Sequence, residues 1–133
     1  MVQKHKILII DDDAFLLNMY LMKFEKNGFE VKISTNGEDA LEILKNGYKP
    51  NIMLIDLIMP GMDGFTIYET IKKDRLAEKT ISVVLSNQST AEDIKKAKDL
   101  GINGYIVKAT TIPSEVVEEV NTLLEKFKSL INS

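Results

Sequence analysis

The stretch Asn51-Ile52-Met53-Leu54-Ile55-Asp56-Leu57-Ile58-Met59-Pro60-Gly61-Met62-Asp63-Gly64 decides how this chain folds. Ile52 to Ile55 form an apolar run with no polar alternation, which reads as a strand covered on both faces, the habit of parallel sheets. One carboxylate, Asp56, follows that run, and a Pro-Gly turn follows the carboxylate. Open parallel sheets bind ligands beyond the carboxyl ends of their strands, so Asp56 stands where chemistry is expected. A second pure apolar run, Ile7-Leu8-Ile9-Ile10, ends in Asp11-Asp12-Asp13. If the two strands are neighbours, their acids converge in one crevice. A pair of like charges 4 Å apart costs about 4 kcal/mol at an effective dielectric of 20. A hard divalent cation relieves that repulsion, and an oxygen-only ligand set without His or Cys points to magnesium.

Working outward, the chain reads as five strand–helix units. The expected strands are 6–11, 30–34, 52–56, 81–85 and 104–107. The expected helices run from Ala14 to Asn27, from a capping box at Thr35–Glu38, from Phe65 to Lys73, from a box at Ser89–Glu92 to Leu100, and from Pro113 to Leu130. Gly28 and Gly101 are placed as helix stops. Strict alternation implies an α/β three-layer sandwich, doubly wound around a parallel sheet. The first helix is unusually apolar. It reads as a helix wedged between sheet and neighbours, with a second reading in which Phe15, Leu17, Leu21 or Met22 faces a partner subunit, so a homodimer stays open.

Composition narrows the field. With 133 residues, 44% of them apolar, the chain is expected to be a single domain spanning 1–133 with no output module. There is no cysteine, which removes disulfides and thiolate metal sites. A net charge of −3 with scattered Lys and Arg argues against nucleic acid as partner. No apolar segment suits a signal peptide or a membrane span, so a cytoplasmic address is expected. The first five residues and the last two or three are read as loose, and His5 as irrelevant to chemistry.

Further polar residues end strands on the edge that carries the acids: Ser86 after Ile81–Leu85, and Lys108 after Tyr105-Ile106-Val107. Together with Asp11-Asp12 and the Asp56-x-x-Met-Pro-Gly-Met-Asp-Gly motif, they make the whole chain resemble the receiver domain of two-component response regulators. The resemblance implies a flavodoxin-like (βα)5 fold with strand order 2-1-3-4-5. It implies that Asp56 is the phosphorylated nucleophile and the phosphohistidine of a sensor histidine kinase or histidine phosphotransfer domain the donor. Mg2+ would be held by Asp12 directly, by Asp11 mostly through water, by Asp56 and by the carbonyl of Ile58. Lys108 would pair with Asp56 and then with the phosphoryl group, and Ser86 and Tyr105 would form the switch. The chain would either relay the phosphoryl group onward to a histidine domain or bind a target protein through the fourth helix, fifth strand and fifth helix. Such a protein is no turnover enzyme and catalyses only its own phosphorylation and dephosphorylation.

Blander readings stand beside these. Asp13 reads as the cap of the first helix, Asp63 as a turn residue, and Met59 and Met62 as packing. Three rivals are weighed. A haloacid-dehalogenase-type phosphatase would need its nucleophile after strand one and a Thr that Asp11–Phe15 lacks. A flavodoxin would not place three aspartates against a flavin phosphate. A degenerate receiver would act only as an interaction module. The family usually places proline after the lysine, where this chain has Ala109, so the Lys108–Ala109 bond is expected either trans or held cis. Gln88, two residues after Ser86, is a position that could tune phosphoryl lifetime.

Overall fold

Ile7, Leu8, Ile9 and Ile10 are all at most 1% exposed, as are Ile52, Met53 and Leu54. Burial of consecutive residues, which point to opposite faces of a strand, requires a cover on each face. The computed structural model, which describes residues 4–87 and 89–132, supplies both covers. Its strands are β1 (Lys6–Ile10), β2 (Glu30–Ser34), β3 (Ile52–Ile55), β4 (Ile81–Ser86) and β5 (Gly104–Val107). They pair in parallel in the order β2-β1-β3-β4-β5, as the resemblance implies.

The helices are α1 (Ala14–Lys26), α2 (Gly37–Lys45), α3 (Gly64–Lys73), α4 (Ala91–Leu100), α5 (Pro113–Lys126) and a one-turn α6 (Lys128–Ile131). Alternate strand residues feed two cores. Ile7, Ile9, Ile52 and Leu54 pack with Leu17, Tyr20 and Phe24 of α1 and Val116, Val120 and Leu124 of α5. Leu8, Ile10, Met53 and Ile55 pack with Ala40 and Leu44 of α2, Ile67 and Ile71 of α3, and Ala97 of α4. Strand order reverses between β1 and β3, so Asp11 and Asp56 emerge side by side. Asp56 N–H donates to the Ile10 carbonyl at 2.9 Å, and Asp11 N–H to that of Ser34 at 3.0 Å.

Several boundaries differ from the expected ones. The boxes expected at Thr35 and Ser89 lie one residue too early. Asn36 caps α2 through the Asp39 amide at 2.8 Å, and Thr90 caps α4 through the Asp93 amide at 3.1 Å. In each case the side chain of Asn36 or Thr90 accepts from the amide three residues on, which is a simple side-chain cap. Asp13 and Asp63 cap α1 and α3 through the amides of Leu16 and Thr66. The last helix is not continuous to Leu130. Phe127 leaves the helical region, and the Leu130 amide closes a shorter turn onto the Phe127 carbonyl at 2.9 Å. Gly101 stops α4 at φ +88°, the left-handed cap that glycine takes without a side-chain penalty.

At the amino end, His5 is tied in. Its carbonyl accepts from Glu30 N–H at 2.9 Å, so looseness does not extend to residue 5. Residues 1–3, 88 and 133 lie outside the described residues, and with them the reading of Gln88. Among the described residues no helix is long and apolar enough to cross a membrane.

The apolar character of α1 splits into two faces. Leu17 is core, against the reading that gave it to a partner, and Leu21 is half-buried. Phe15 and Met22 are 76% and 70% exposed. Phe24, fully buried and edge-on to Phe29 at 5.0 Å between ring centroids, tests this division. Phe24→Ala should cost about 3–5 kcal/mol in urea unfolding, and Phe15→Ala less than about 0.5 kcal/mol. A large loss from Phe15→Ala would mean that the outer face of α1 is packed.

Candidate functional site

A cleft of about 350 Å3 opens beyond the carboxyl ends of β1, β3 and β4. Asp11, Asp12, Asp13, Leu16, Asp56, Ile58, Ser86, Asn87 and Lys108 line it. Carboxylate oxygens of Asp11, Asp12 and Asp56 lie within 4.8 Å of one another. A larger groove, about 590 Å3, lies at the amino ends of the strands among Lys49, Arg75 and Lys79. Among the described residues, only the acid cleft brings three ligating side chains together.

The acids are held stiffly. Asp11 is fully buried, and its Oδ1 accepts the Asp13 amide at 3.0 Å. Asp56 is 6% exposed, and its Oδ1 accepts the Ile58 amide at 3.4 Å. Asp12 is exposed at the rim. Lys108 closes the cleft from the one-turn 3-10 helix Lys108–Thr110, and its bond to Ala109 is trans. Its side chain is 7% exposed, with Nζ 2.5 Å from Asp11 Oδ2 and 3.4 Å from Asp56 Oδ2. The nearer partner is therefore Asp11, not Asp56 as the resemblance implies.

Burial pushes the Asp56 carboxyl up from 3.8 to about 6. Lys108 pulls it back, Asp11 adds to the rise, and the Ile58 amide lowers it further. Tyr20, on the inner face of α1, feels the same acids. Burial first, then Asp11, Asp56 and Asp13, hold its hydroxyl up at about 12.

The glycine of the Asp63-Gly64 turn has a reason beyond the turn. A Cβ on Gly64 would collide with the carbonyl oxygen of Asp56, and the Gly64 amide donates to the Leu57 carbonyl at 3.0 Å. Only glycine lets the start of α3 press against the backbone that aims Asp56. Met59 is buried and Met62 half-buried, both packed in the second core.

Ser86 is buried, and its side chain hydrogen-bonds the half-buried Tyr105. Burial of Tyr105, and then the Asp93 charge, push its hydroxyl up. Ile58 is 55% exposed at the mouth of the cleft. Sequence reasoning passed over Asn87, Leu16 and Tyr20 as neighbours of the site. Asn87 was findable, since it follows Ser86 at the same strand edge. Leu16 and Tyr20 are ordinary members of a helical apolar pattern, and nothing in their spacing marks them.

The donor set fits a hard divalent cation. All candidate ligands are oxygens, and buried Asp11 Oδ2 accepts no well-aligned hydrogen bond despite the nearby ammonium.

Fold and cleft define a doubly wound α/β domain with an acidic, lysine-closed site at its topological switch point. A family model described as response regulator receiver domain matches residues 7–121. This chain belongs to that family, whose setting is two-component signalling. It is 30% identical over 125 residues to the probable transcriptional regulator ycf27 of Porphyridium aerugineum, covering 94% of this chain and 50% of that protein. It is also 30% identical over 122 residues to the response regulator SaeR of Staphylococcus aureus, covering 92% of this chain and 51% of that one. The chain thus spans about half the length of the curated relatives it matches.

Among solved structures, a CheY-like receiver domain protein from Methanospirillum hungatei superposes with a TM-score of 0.85 at 24% identity, covering 96% of this chain and 98% of that one. The receiver domain of Francisella response regulator 1452 gives 0.81 at 26%, with 92% and 98% covered.

Two predictions test the site's mechanics. An acid whose pKa is raised on folding contributes its stability below the unfolded value and loses it as pH rises from about 4 to about 6. Above pH 6, ionised Asp56 is a net cost, at most about 3 kcal/mol for a shift from 3.8 to about 6. In EDTA at pH 7.5, Asp56→Asn should therefore raise Tm, with the gain shrinking as pH falls toward 4; a lower Tm for the variant would contradict this. Gly64→Ala should lower stability by more than about 1 kcal/mol in urea unfolding, because backbone rather than a flexible side chain must yield.

Proposed function

We propose that Asp56 accepts a phosphoryl group from a phosphohistidine, and that the resulting acyl phosphate switches the Ser86/Tyr105 face of a cytoplasmic signalling protein. The observation that carries this is the nearly buried Asp56 carboxylate, which shares the Lys108 ammonium with Asp11 at the sheet's switch point in a chain of the receiver family. In the transfer, an Oδ of Asp56 forms the new bond to phosphorus while the phosphorus–nitrogen bond breaks. The electron pair of that bond returns to the imidazole of the donor, a sensor kinase or histidine phosphotransfer domain. Asp56 must be ionised to attack, and with its carboxyl at about 6 it is mostly so at neutral pH.

Asp11, Asp12, Asp56 and the Ile58 carbonyl are the groups that would hold Mg2+. Bound there, the ion supplies positive charge to the phosphoryl oxygens, which is most of what phosphoryl transfer requires. Lys108 supplies a second positive charge on a flexible stem able to follow the group being transferred. After transfer Asp56 carries about −2 in place of −1. The added charge draws in hydrogen-bond donors, and Ser86 is the buried hydroxyl at hand.

To reach the phosphoryl group Ser86 must give up its bond to Tyr105, which frees the ring to turn. Tyr105 lies in β5, so its movement alters the surface of α4, β5 and α5, where a target protein would bind. This is a two-state element biased by one covalent event.

Acetyl phosphate with MgCl2 should add roughly 80 Da, one HPO3, to the intact protein. Asp56→Asn or excess EDTA should abolish the gain. Ser86→Ala should keep the gain in mass but lose the change in Tyr105 ring signals that accompanies it in the wild-type protein. A labile phosphoryl group on the Asp56→Asn protein would move the acceptor elsewhere.

A further inference from the structure

We propose that the cleft where α3 and α4 end, at the opposite end of the sheet from the acids, binds a small oxyanion, the phosphate or carboxylate group of a metabolite. The cleft holds about 300 Å3 beside the start of β4, the lower end of the range for small-molecule sites. Tyr68 of α3 and Ser82 of β4 line it, and each is only 4% exposed. Among the described residues neither hydroxyl has a hydrogen-bond partner, and neither is shut away from the cleft. Buried polar groups are as a rule paired, so both hydroxyls stand open to whatever enters.

The two helices that meet here stop in the same way. At α3 the Leu76 amide donates to the Ile71 carbonyl at 2.9 Å and the Arg75 amide to that of Lys72 at 3.1 Å. At α4 the Ile102 amide donates to Ala97 at 2.9 Å and the Gly101 amide to Lys98 at 3.0 Å. Each stop needs one residue in the left-handed region, and α4 uses glycine, at φ +88°. In α3 the same place is held by Arg75, at φ +54°, where a side chain is strained. That strained residue carries a guanidinium to the wall of the cleft.

The stops also engage the last carbonyls, the groups by which a helix end repels an anion. Donors are what remain. Lys72 and Arg75 bring two positive charges against the single acid Glu78. A Cβ on Gly101 would lie 3.5 Å from Lys72 Nζ and 3.7 Å from the Tyr68 hydroxyl, so ammonium and phenol flank the same bare backbone. The Asn103 side-chain oxygen accepts the Ser82 amide at 2.9 Å, which leaves its NH2 group as a further donor. A fork of N–H groups beside an ammonium suits an oxyanion. Past Arg75 and Thr80 the cleft runs into the larger groove beside Lys49, with room for the rest of the molecule.

Amide and tyrosine-ring NMR spectra of the protein in EDTA, titrated separately with inorganic phosphate and with acetate at constant ionic strength, test this. At least one anion should give saturating shifts centred on Ser82, Gly101, Asn103 and the Tyr68 ring, and the anion that saturates identifies the head group. Shifts that never saturate for either anion, or that spread over the surface lysines, overturn the proposal.

Arg75→Gly is the decisive variant, because it removes the guanidinium while relieving the backbone. Its Tm should hold or rise, and its affinity for the anion should fall about tenfold, the loss of one charge-assisted hydrogen bond. Unchanged affinity overturns the proposal. A lower Tm overturns it too, since Arg75 would then be there for stability.

Discussion

Two carboxylates and one ammonium share a space from which water is largely excluded, and the rest of the domain is arranged around that constraint. Asp11, Asp56 and Lys108 have side chains only 1%, 8% and 7% exposed. A buried charge deprived of its partner costs about 3–5 kcal/mol, so the lone ammonium of Lys108 is the member whose loss would leave buried carboxylates unpaired, while the two acids compete for it. The fold supplies what keeps the set together. Parallel pairing brings Asp11 and Asp56 to one edge by register, since Ile10 pairs with Ile55. β5, at the far side of β4, carries Lys108 in from the third direction.

The same constraint explains why the segments bordering the cleft are so exacting. The Asp13 amide fixes one oxygen of Asp11, and Asp13's own carboxylate caps α1 through Leu16. One residue thus ties the acid cleft to the helix whose Leu17, Tyr20 and Phe24 anchor the first core. Gly64 plays the matching part in the second core. Its bare backbone lets α3 abut Asp56, while Phe65, Ile67 and Ile71 of that helix hold it against the sheet. Position of Asp56 and packing of the cores are therefore one problem, not two.

Much of this was legible in the sequence because it depends on local pattern. Two unbroken apolar runs ending in acid gave the parallel sheet, and the acid–turn–glycine motif placed Asp56 at its edge. Helix starts were off by one residue where Thr35 competes with Asn36 and Ser89 with Thr90, since each is a good cap and only the packed helix chooses between them. The break at Phe127 was invisible for a similar reason, as Phe127 and Ile131 continue the apolar spacing of α5 across it. The outward face of α1 could not be told from its inward face, because Phe15 and Leu17 are equally apolar. Least legible was the preference of Lys108 for Asp11. It depends on side-chain positions set by three strands at once, which no one-dimensional spacing encodes.

That preference alters how the cleft is best understood as a chemical device. A site meant only to bind a cation would leave its carboxylates bare, and one meant only for stability would pair each acid with its own base. Here one base serves two acids, while burial lifts the Asp56 carboxyl to about 6 against the pull of that same base. The arrangement is a frustrated one, with more negative charge than the lysine can neutralise. Any added positive charge lowers the tension, and any added negative charge restores it. The energy of the site thus follows what is bound there, and buried Ser86, which lines the same cleft, lies within that field.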